Sequence, residues 1–163
     1  MAKPIFYRTY ALLSQDIRDW SRRLPEDIVA VAGSGRSGMI VASMLMAERN
    51  IHLLSTDELV ANQRPWEKDK RRACLAKPCG GCVLIVDDTI SSGEHMQAEK
   101  ERFGWPQQVG TLNADHSMDC LWRLKYAAVY AMNRSIDKVD HYFLNVGDTD
   151  HIFEWNWHHH WFL

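Results

Sequence analysis

The length, composition and charge of the chain describe one globular domain. It has 163 residues, of which 46% are hydrophobic and 25% charged, and its formal net charge is −2. This charge balance gives no reason to expect a nucleic-acid partner, and no apolar run is long enough to span a membrane. The N-terminus lacks a signal-peptide core, so we expect a cytoplasmic protein whose four cysteines are reduced.

The first predicted element is an amphipathic helix over residues 7–24, which Pro25 ends. We expect it to cover one face of a sheet, and we assign it no chemistry. Its apolar residues recur at spacings of three and four: Tyr10, Leu13, Ile17, Trp20 and Leu24.

A strand over residues 27–32 and a helix over residues 39–48 enclose the glycine-rich sequence Gly-Ser-Gly-Arg-Ser-Gly at residues 33–38. A loop that opens into a helix N-terminus presents N–H groups to an anion, and Arg36 adds a fixed charge. The pattern therefore predicts a phosphate cradle that includes Ser34, Gly35, Arg36 and Ser37.

The same six residues fit Gly-x-Gly-x-x-Gly, which creates an alternative. Asp57 follows about twenty residues later, after a predicted strand over residues 51–54. In a dinucleotide-binding fold, an acid at that spacing holds the adenosine ribose.

The segment that follows, residues 61–78, is rich in Arg and Lys and predicts a solvated loop or an exposed hairpin. Cys79 and Cys82 then flank a glycine turn, for which we expect neither zinc nor redox chemistry.

Residues 83–94 carry the most specific signal in the chain. Four apolar residues, three of them β-branched, predict a buried strand over residues 83–86, and Asp87 and Asp88 stand at its carboxyl end. A hydroxyl-rich loop over residues 89–93 opens into a predicted helix over residues 94–103. The carboxylates can accept hydrogen bonds from sugar hydroxyls or hold hydrated Mg²⁺, and the loop can wrap a phosphate.

Further strands are predicted over residues 109–113, 127–132 and 139–146, with a helix or turn at residues 120–125. Asp115 and His116 follow a strand end and are predicted as turn residues. The C-terminus concentrates aromatic residues, among them Phe153, Trp155 and Trp157, which require burial on the domain or in a dimer interface.

The acid pair and the loop after it resemble the phosphoribosyl-pyrophosphate signature of the type I phosphoribosyltransferases. The resemblance implies that Asp87 and Asp88 lie at the ribose hydroxyls and hold Mg²⁺. Many family members carry Thr or Ser where this chain has Glu94 and His95, and enzymes for hypoxanthine or guanine usually carry Asp in place of Ser91. The resemblance also implies a substrate phosphate site at Thr89, Ile90, Ser91, Ser92 and Gly93.

The resemblance extends to the other segments by layout. It implies that residues 33–38 form the pyrophosphate loop, with Arg36 against the leaving group, and that residues 61–78 form a flap over it. The chain ends would supply a hood over the base, where Trp155 offers a stacking surface. Gly-x-Gly-Arg-Ser-Gly also resembles the first loop of sugar-phosphate isomerase (SIS) domains. That second resemblance leaves the acid pair unexplained, so we rank it second.

We therefore expect an α/β fold with a Rossmann-like, mostly parallel central sheet of about five strands and helices on both faces. Residues 1–163 form one domain, with a core over about residues 25–146 and a small C-terminal hood over about residues 147–163 that the N-terminal segment can join. The implied reaction transfers the phosphoribosyl group from phosphoribosyl pyrophosphate to a nitrogenous base, with orotate as the preferred candidate, in a homodimer. A regulator that binds the same ligand without turnover stays open.

Overall fold

The computed structural model describes residues 5–56, 59, 82–103, 108–112 and 118–155. Its helices are α1 (Tyr10–Ser21), α2 (Gly35–Arg49) and α3 (Glu94–Arg102), with a 3₁₀ helix at Asn133–Lys138. The strands are β1 (Ile5–Arg8), β2 (Ile28–Gly33), β3 (His52–Leu54), β4 (Cys82–Ile90), β5 (Gln108–Leu112), β6 (Met118–Ala131), β7 (His141–Asn145) and β8 (Asp150–Phe153).

Six of these strands form one sheet in which parallel pairing dominates. The order β3-β2-β4-β6 is parallel throughout, β7 adds a parallel pair to β6, and β5 pairs with β6 in the antiparallel direction. The predicted mostly parallel α/β sheet is thereby confirmed. β4 lies between β2 and β6, so its carboxyl end is central to the edge where ligands bind in such sheets.

Both faces of the sheet are buried, as parallel sheets require. Along β4, Leu84 and Val86 join the core cluster that contains the buried residues of α1 and α2. Val83 and Ile85 join the opposite cluster, which contains Met96 of α3. Because both faces of β4 are buried, residues 82–86 are all apolar in the sequence and do not alternate with polar residues.

Several predicted boundaries and one predicted element differ from the structure. Thr9 caps α1 by accepting a hydrogen bond from the N–H of Leu12, so the helix begins at Tyr10 rather than Tyr7. α2 begins at Gly35, and β4 continues through Ile90 because its last residues pair with β6. The helix or turn predicted at residues 120–125 is wrong, because pairing with β4 and β5 keeps β6 extended there.

The two ends of the described chain meet in a separate two-stranded parallel sheet. β1 pairs with β8 from Ile5 opposite Asp150 to Arg8 opposite Phe153. Arg8 and Tyr130 both donate hydrogen bonds to Asp16 Oδ2, over 3.0 Å and 2.6 Å, and so fasten this small sheet to α1 and β6. The N-terminal strand was not predicted, because four residues carry no usable periodicity alone. A hood function for this sheet stays a prediction.

Several predicted features lie outside the described residues: Asp57, the basic segment at residues 61–78, Cys79, the Asp115–His116 pair and the tail from residue 156 onward. Cys82, which the structure does describe, is buried at the start of β4. No helix in the described part of the chain is both long and apolar enough to cross a membrane.

Gly38 generates a prediction for stability, because a Cβ at this position would lie 2.4 Å from the carbonyl oxygen of Val86. Gly38→Ala should therefore lower the free energy of unfolding by about 3 kcal/mol, the cost of forcing α2 away from β4. Gly147→Ala is the matched control, because a Cβ there meets no atom within 4 Å and only its φ of 66° is strained. Equal losses in urea unfolding of the two variants would contradict the close-packing role.

Candidate functional site at the carboxyl end of the central strand

The glycines at the start of α2 bring that helix against the sheet. A Cβ on Gly33 would lie 2.3 Å from the backbone nitrogen of Met39, and one on Gly38 would meet the Val86 carbonyl. Both positions thus require the absence of a side chain for close packing. These close contacts give both glycines a role in packing α2 against the sheet.

The remaining residues of the glycine-rich segment divide between the interior and the surface. Ser34 is fully buried, and its backbone N–H donates to Val86 O over 2.8 Å. Gly35 and Arg36 are exposed in the first turn of α2, whereas Ser37 turns toward β4 and donates a hydrogen bond to Asp87 Oδ1 over 3.1 Å. Of the residues predicted here for pyrophosphate, Ser37 alone lines the cleft among those the structure describes.

The acid pair lies inside β4 rather than beyond its end. Asp87 and Asp88 are only 7% and 4% exposed, and Thr89 and Ile90 continue the strand opposite Tyr130 and Ala131. The Asp88 N–H donates to Asp87 Oδ1 over 2.8 Å. Two carboxylates buried side by side in a central strand are costly unless donors or a cation compensate them.

Each acid has further partners from elements outside β4. The indole N–H of Trp155 donates to Asp88 Oδ2 over 2.6 Å. His95 Nδ1, in the first turn of α3, lies 3.4 Å from Asp87 Oδ2. Burial and the neighbouring Asp88 raise the pKa of Asp87 to about 8. If both carboxylates were ionised, the pair would carry two repelling negative charges in a buried site, and a bound cation relieves such repulsion.

The loop after β4 comprises three residues, Ser91 to Gly93, and its carbonyl groups are held from one side. Arg134 donates to Ser91 O over 3.0 Å and Lys138 donates to Ser92 O over 2.8 Å. Gly93 has a φ of 77° and caps α3, and a Cβ there would strike the Lys138 side chain. The 3₁₀ helix therefore fixes this loop just before a helix N-terminus, the geometry that suits an anion.

One cleft of about 240 Å³ joins the acid pair to this loop. Asp87, Asp88 and the whole run from Thr89 to Gly93 line it, so the structure brings these predicted site residues together. The Thr89 hydroxyl is buried and lacks a hydrogen-bond partner within the described part of the chain. His95, Met96, His151 and Phe153 complete the described lining together with Ser37.

His151 lines the same cleft and was not predicted as a site residue. It lies on β8 two residues before Phe153, its ring packs 5.2 Å from that ring, and both line the cleft. Its Nδ1 is buried without a hydrogen-bond partner among the described residues. The spacing of His151 and Phe153 was the available signal, because alternate residues of a strand share one face.

Trp155 is not among the described residues that line the cleft. It is 6% exposed, and its ring stacks on Phe153 with centroids 4.8 Å apart. Tyr10 packs against the same indole at 5.5 Å. Stacking of an acceptor base on Trp155 stays a prediction, and the described surroundings show a ring that already has aromatic neighbours.

The carboxylates fit Mg²⁺ by their chemistry. Magnesium is usually held by one or two carboxylates together with oxygens of a phosphorylated substrate and water. Asp87 and Asp88 supply that number of carboxylates, and both line the cleft. The binding of Mg²⁺ at this pair stays a prediction.

Comparison with known proteins gives the fold class. Neither a family model nor a curated protein matches the sequence. Among solved structures, the purine phosphoribosyltransferase from Pyrococcus horikoshii Ot3 matches with a TM-score of 0.59 and 15% identity, covering 93% of each chain. The Helicobacter pylori xanthine-guanine-hypoxanthine phosphoribosyltransferase matches with a TM-score of 0.58 and 12% identity, covering 94% of this chain and 93% of that one.

A third structure, a hypothetical protein from Neisseria gonorrhoeae with bound ppGpp, matches with a TM-score of 0.59 and 16% identity, covering 96% of this chain and 91% of that one. These similarities show that the chain has the fold of the type I phosphoribosyltransferases. The resemblance inferred from residues 83–94 is confirmed at the level of the fold. Sequence identities of 12–16% show the fold alone, so the chemistry of the site must be argued from its own residues.

The raised pKa of Asp87 predicts how stability changes with pH when no cation is bound. The unfolded chain loses this proton near pH 4 and the folded chain near pH 8, so ionisation favours the unfolded state between these values. Stability should fall across this range, and Asp87→Asn should remove that part of the fall, on the order of 1 kcal/mol or more.

Urea unfolding at pH 5 and pH 8 in a chelator measures this difference. Asp137→Asn, at an exposed acid of the 3₁₀ helix, is the control. His141, whose pKa is lowered by burial, contributes to all three proteins and cancels. An unchanged pH dependence in Asp87→Asn would show that this carboxyl is already ionised in the folded protein.

Proposed function

We propose that the protein is a Mg²⁺-dependent phosphoribosyltransferase that transfers the phosphoribosyl group of phosphoribosyl pyrophosphate to a nitrogenous base. The observation that carries the proposal is a single cleft in which a buried acid pair adjoins a short loop at a helix N-terminus. A ribose 5-phosphate unit has hydroxyls for the acids and a phosphate for the loop. An SIS-type site would need the loop but has no use for Asp87 and Asp88.

The residues of the loop favour a 5′-phosphate. Arg134 and Lys138 engage the carbonyl groups of Ser91 and Ser92, and each also brings a positive charge near the loop. The N-terminus of α3 adds the positive end of its helix dipole. Together these groups would hold the phosphate end of the ligand while the acids hold its sugar.

The acids would hold the ribose while positive charge develops at its anomeric carbon. Two carboxylates within one strand stabilise such charge, and their buried position strengthens the effect because the local dielectric is low. Mg²⁺ bound with the substrate would neutralise the leaving pyrophosphate, which is the chemistry a metal supplies in such a site. Arg36, in the first turn of α2, is proposed to bind that pyrophosphate.

The proposed identity of the accepting base rests on one residue and one segment. Ser91 replaces the acid expected beside hypoxanthine or guanine, and the basic segment at residues 61–78 suits an anionic acceptor. Both favour an orotate-like acceptor. The structural neighbours named for purines have the same fold, so purine bases belong in the same test.

A second candidate function is a regulator that binds the same ligand without turnover. The neighbour with bound ppGpp shows that a protein of this fold can hold a guanine nucleotide of high charge, so ppGpp belongs in the ligand panel. The cytoplasmic location and the homodimer inferred from the sequence remain parts of this proposal.

Titration calorimetry tests the proposal directly. We expect phosphoribosyl pyrophosphate to bind only with Mg²⁺ present, and the variant carrying Asp87→Asn and Asp88→Asn to bind at least about tenfold more weakly, because charged hydrogen bonds are lost. This variant should keep its fold, because two repelling carboxylates cost stability. Exclusive binding of NAD or a hexose phosphate would refute the proposal.

Turnover then separates the enzyme from the regulator. Pyrophosphate release should be measured with orotate, hypoxanthine, guanine, xanthine and adenine in turn. Release with one of these bases identifies the acceptor, whereas tight ligand binding without release on any base assigns the protein to regulation.

Arg36 provides a second prediction, about which residues bind which part of the ligand. Arg36→Ala should weaken binding of pyrophosphate about tenfold, the value of one charged contact, and change binding of ribose 5-phosphate little. Arg22→Ala is the control, since Arg22 is an exposed arginine that pairs with Asp19 at the end of α1. Equal losses for both ligands would contradict the assignment of Arg36 to the leaving group.

A further inference from the structure

We propose that Trp155 is a positioning residue for Asp88, through which the C-terminal segment (residues 150–155) orients the acid pair toward the phosphoribosyl ligand. The inference deepens the proposed function and rests on it for the identity of that ligand. Its basis is the hydrogen bond of 2.6 Å from Trp155 Nε1 to Asp88 Oδ2, between two residues that are 6% and 4% exposed.

The chemistry of the indole limits what Trp155 can do at this site. Its Nε1–H is a donor only, so it cannot accept a proton from Asp88 and cannot bind a metal ion. What it can do is hold one oxygen of the carboxylate. Fixing Oδ2 sets the plane of the carboxylate and hence the direction in which the second oxygen points.

The donor itself is held rigidly. Phe153 stacks on the indole with an interplanar angle of 13°, and Tyr10 packs against it at 5.5 Å. The next residue to Trp155, Glu154, accepts a hydrogen bond of 2.7 Å from the backbone N–H of Tyr10 at the start of α1. β8 leads into this segment and pairs with β1. The indole is thus fixed by both chain ends of the described structure.

This arrangement places two functions on one short segment. His151 and Phe153 line the cleft, and Trp155 holds the acid that borders it. Groups that orient a ligand-binding side chain are typically worth 10–100-fold in affinity or activity when they are removed. Loss of a positioning contact should therefore lower ligand affinity measurably, whereas loss of a purely structural contact should lower only stability.

Trp155→Phe tests this role, because it removes the N–H donor and keeps an aromatic ring. We expect the Kd of phosphoribosyl pyrophosphate with Mg²⁺ to rise about 10–100-fold, while the KM of the acceptor base stays nearly constant. Trp20→Phe is the matched control: Trp20 is 2% exposed in α1 and does not line the described cleft. It should lose stability without loss of ligand affinity.

Two results would overturn the inference. Unchanged ligand affinity in Trp155→Phe, with only a lower Tm, would make Trp155 a packing residue. A higher KM for the base, with unchanged phosphoribosyl pyrophosphate binding, would make it a stacking surface for the acceptor.

A second measurement is independent of the ligand and of the proposed function. In ¹H–¹⁵N spectra, the assigned indole N–H resonance of Trp155 should shift in Asp88→Asn, because its charged acceptor is replaced by a neutral one. The indole resonance of Trp20 is the internal reference. No shift at Trp155 overturns the positioning contact, even if Trp155→Phe fails to fold.

Absence of phosphoribosyl pyrophosphate binding by the unmodified protein would instead refute the proposed function, and the spectrum would then be the test of this contact.

Discussion

Two neighbouring carboxylates buried in the middle strand of the sheet are the constraint around which the rest of the structure is arranged. Asp87 and Asp88 repel each other, and burial deprives them of water, so the fold must compensate them with donors. Ser37 supplies one from α2, and Trp155 supplies one from the segment after β8. His95 at the start of α3 lies near the same pair. Both helices that flank β4 and the C-terminal end of the described chain therefore contribute groups near this pair.

This compensation depends on close approach of the backbone. Gly33 allows β2 to approach the start of α2, and Gly38 allows α2 to approach β4, where a side chain would collide with backbone atoms. The second contact brings Ser37 within reach of Asp87. On the other side, Lys138 and Arg134 fix the carbonyl groups of the loop that follows β4. A site that needs repelling charges thus has a rigid frame built from glycine contacts and charge-assisted hydrogen bonds.

The sequence predicted the sheet and the acid pair because both depend on local patterns. Buried parallel strands appear as apolar runs in a sequence. Two adjacent carboxylates directly after residues 83–86 are unfavourable for the strand itself, so they indicate a binding site. It did not predict that residues 120–125 are extended, because pairing with β4 and β5 overrides local preference. Nor could it predict the contact of Trp155 with Asp88, because 67 residues separate the two and only the tertiary fold brings them together.

The central claim is that the acid pair and the loop from Ser91 to Gly93 bind one ligand together. A crystal structure of the protein with phosphoribosyl pyrophosphate and Mg²⁺ tests it most directly. The account predicts the ribose hydroxyls within hydrogen-bonding distance of Asp87 and Asp88, and the 5′-phosphate at the backbone N–H groups of the loop. A ligand whose phosphate lies at the loop while its sugar points away from the acids, or one bound outside this cleft, would contradict the account.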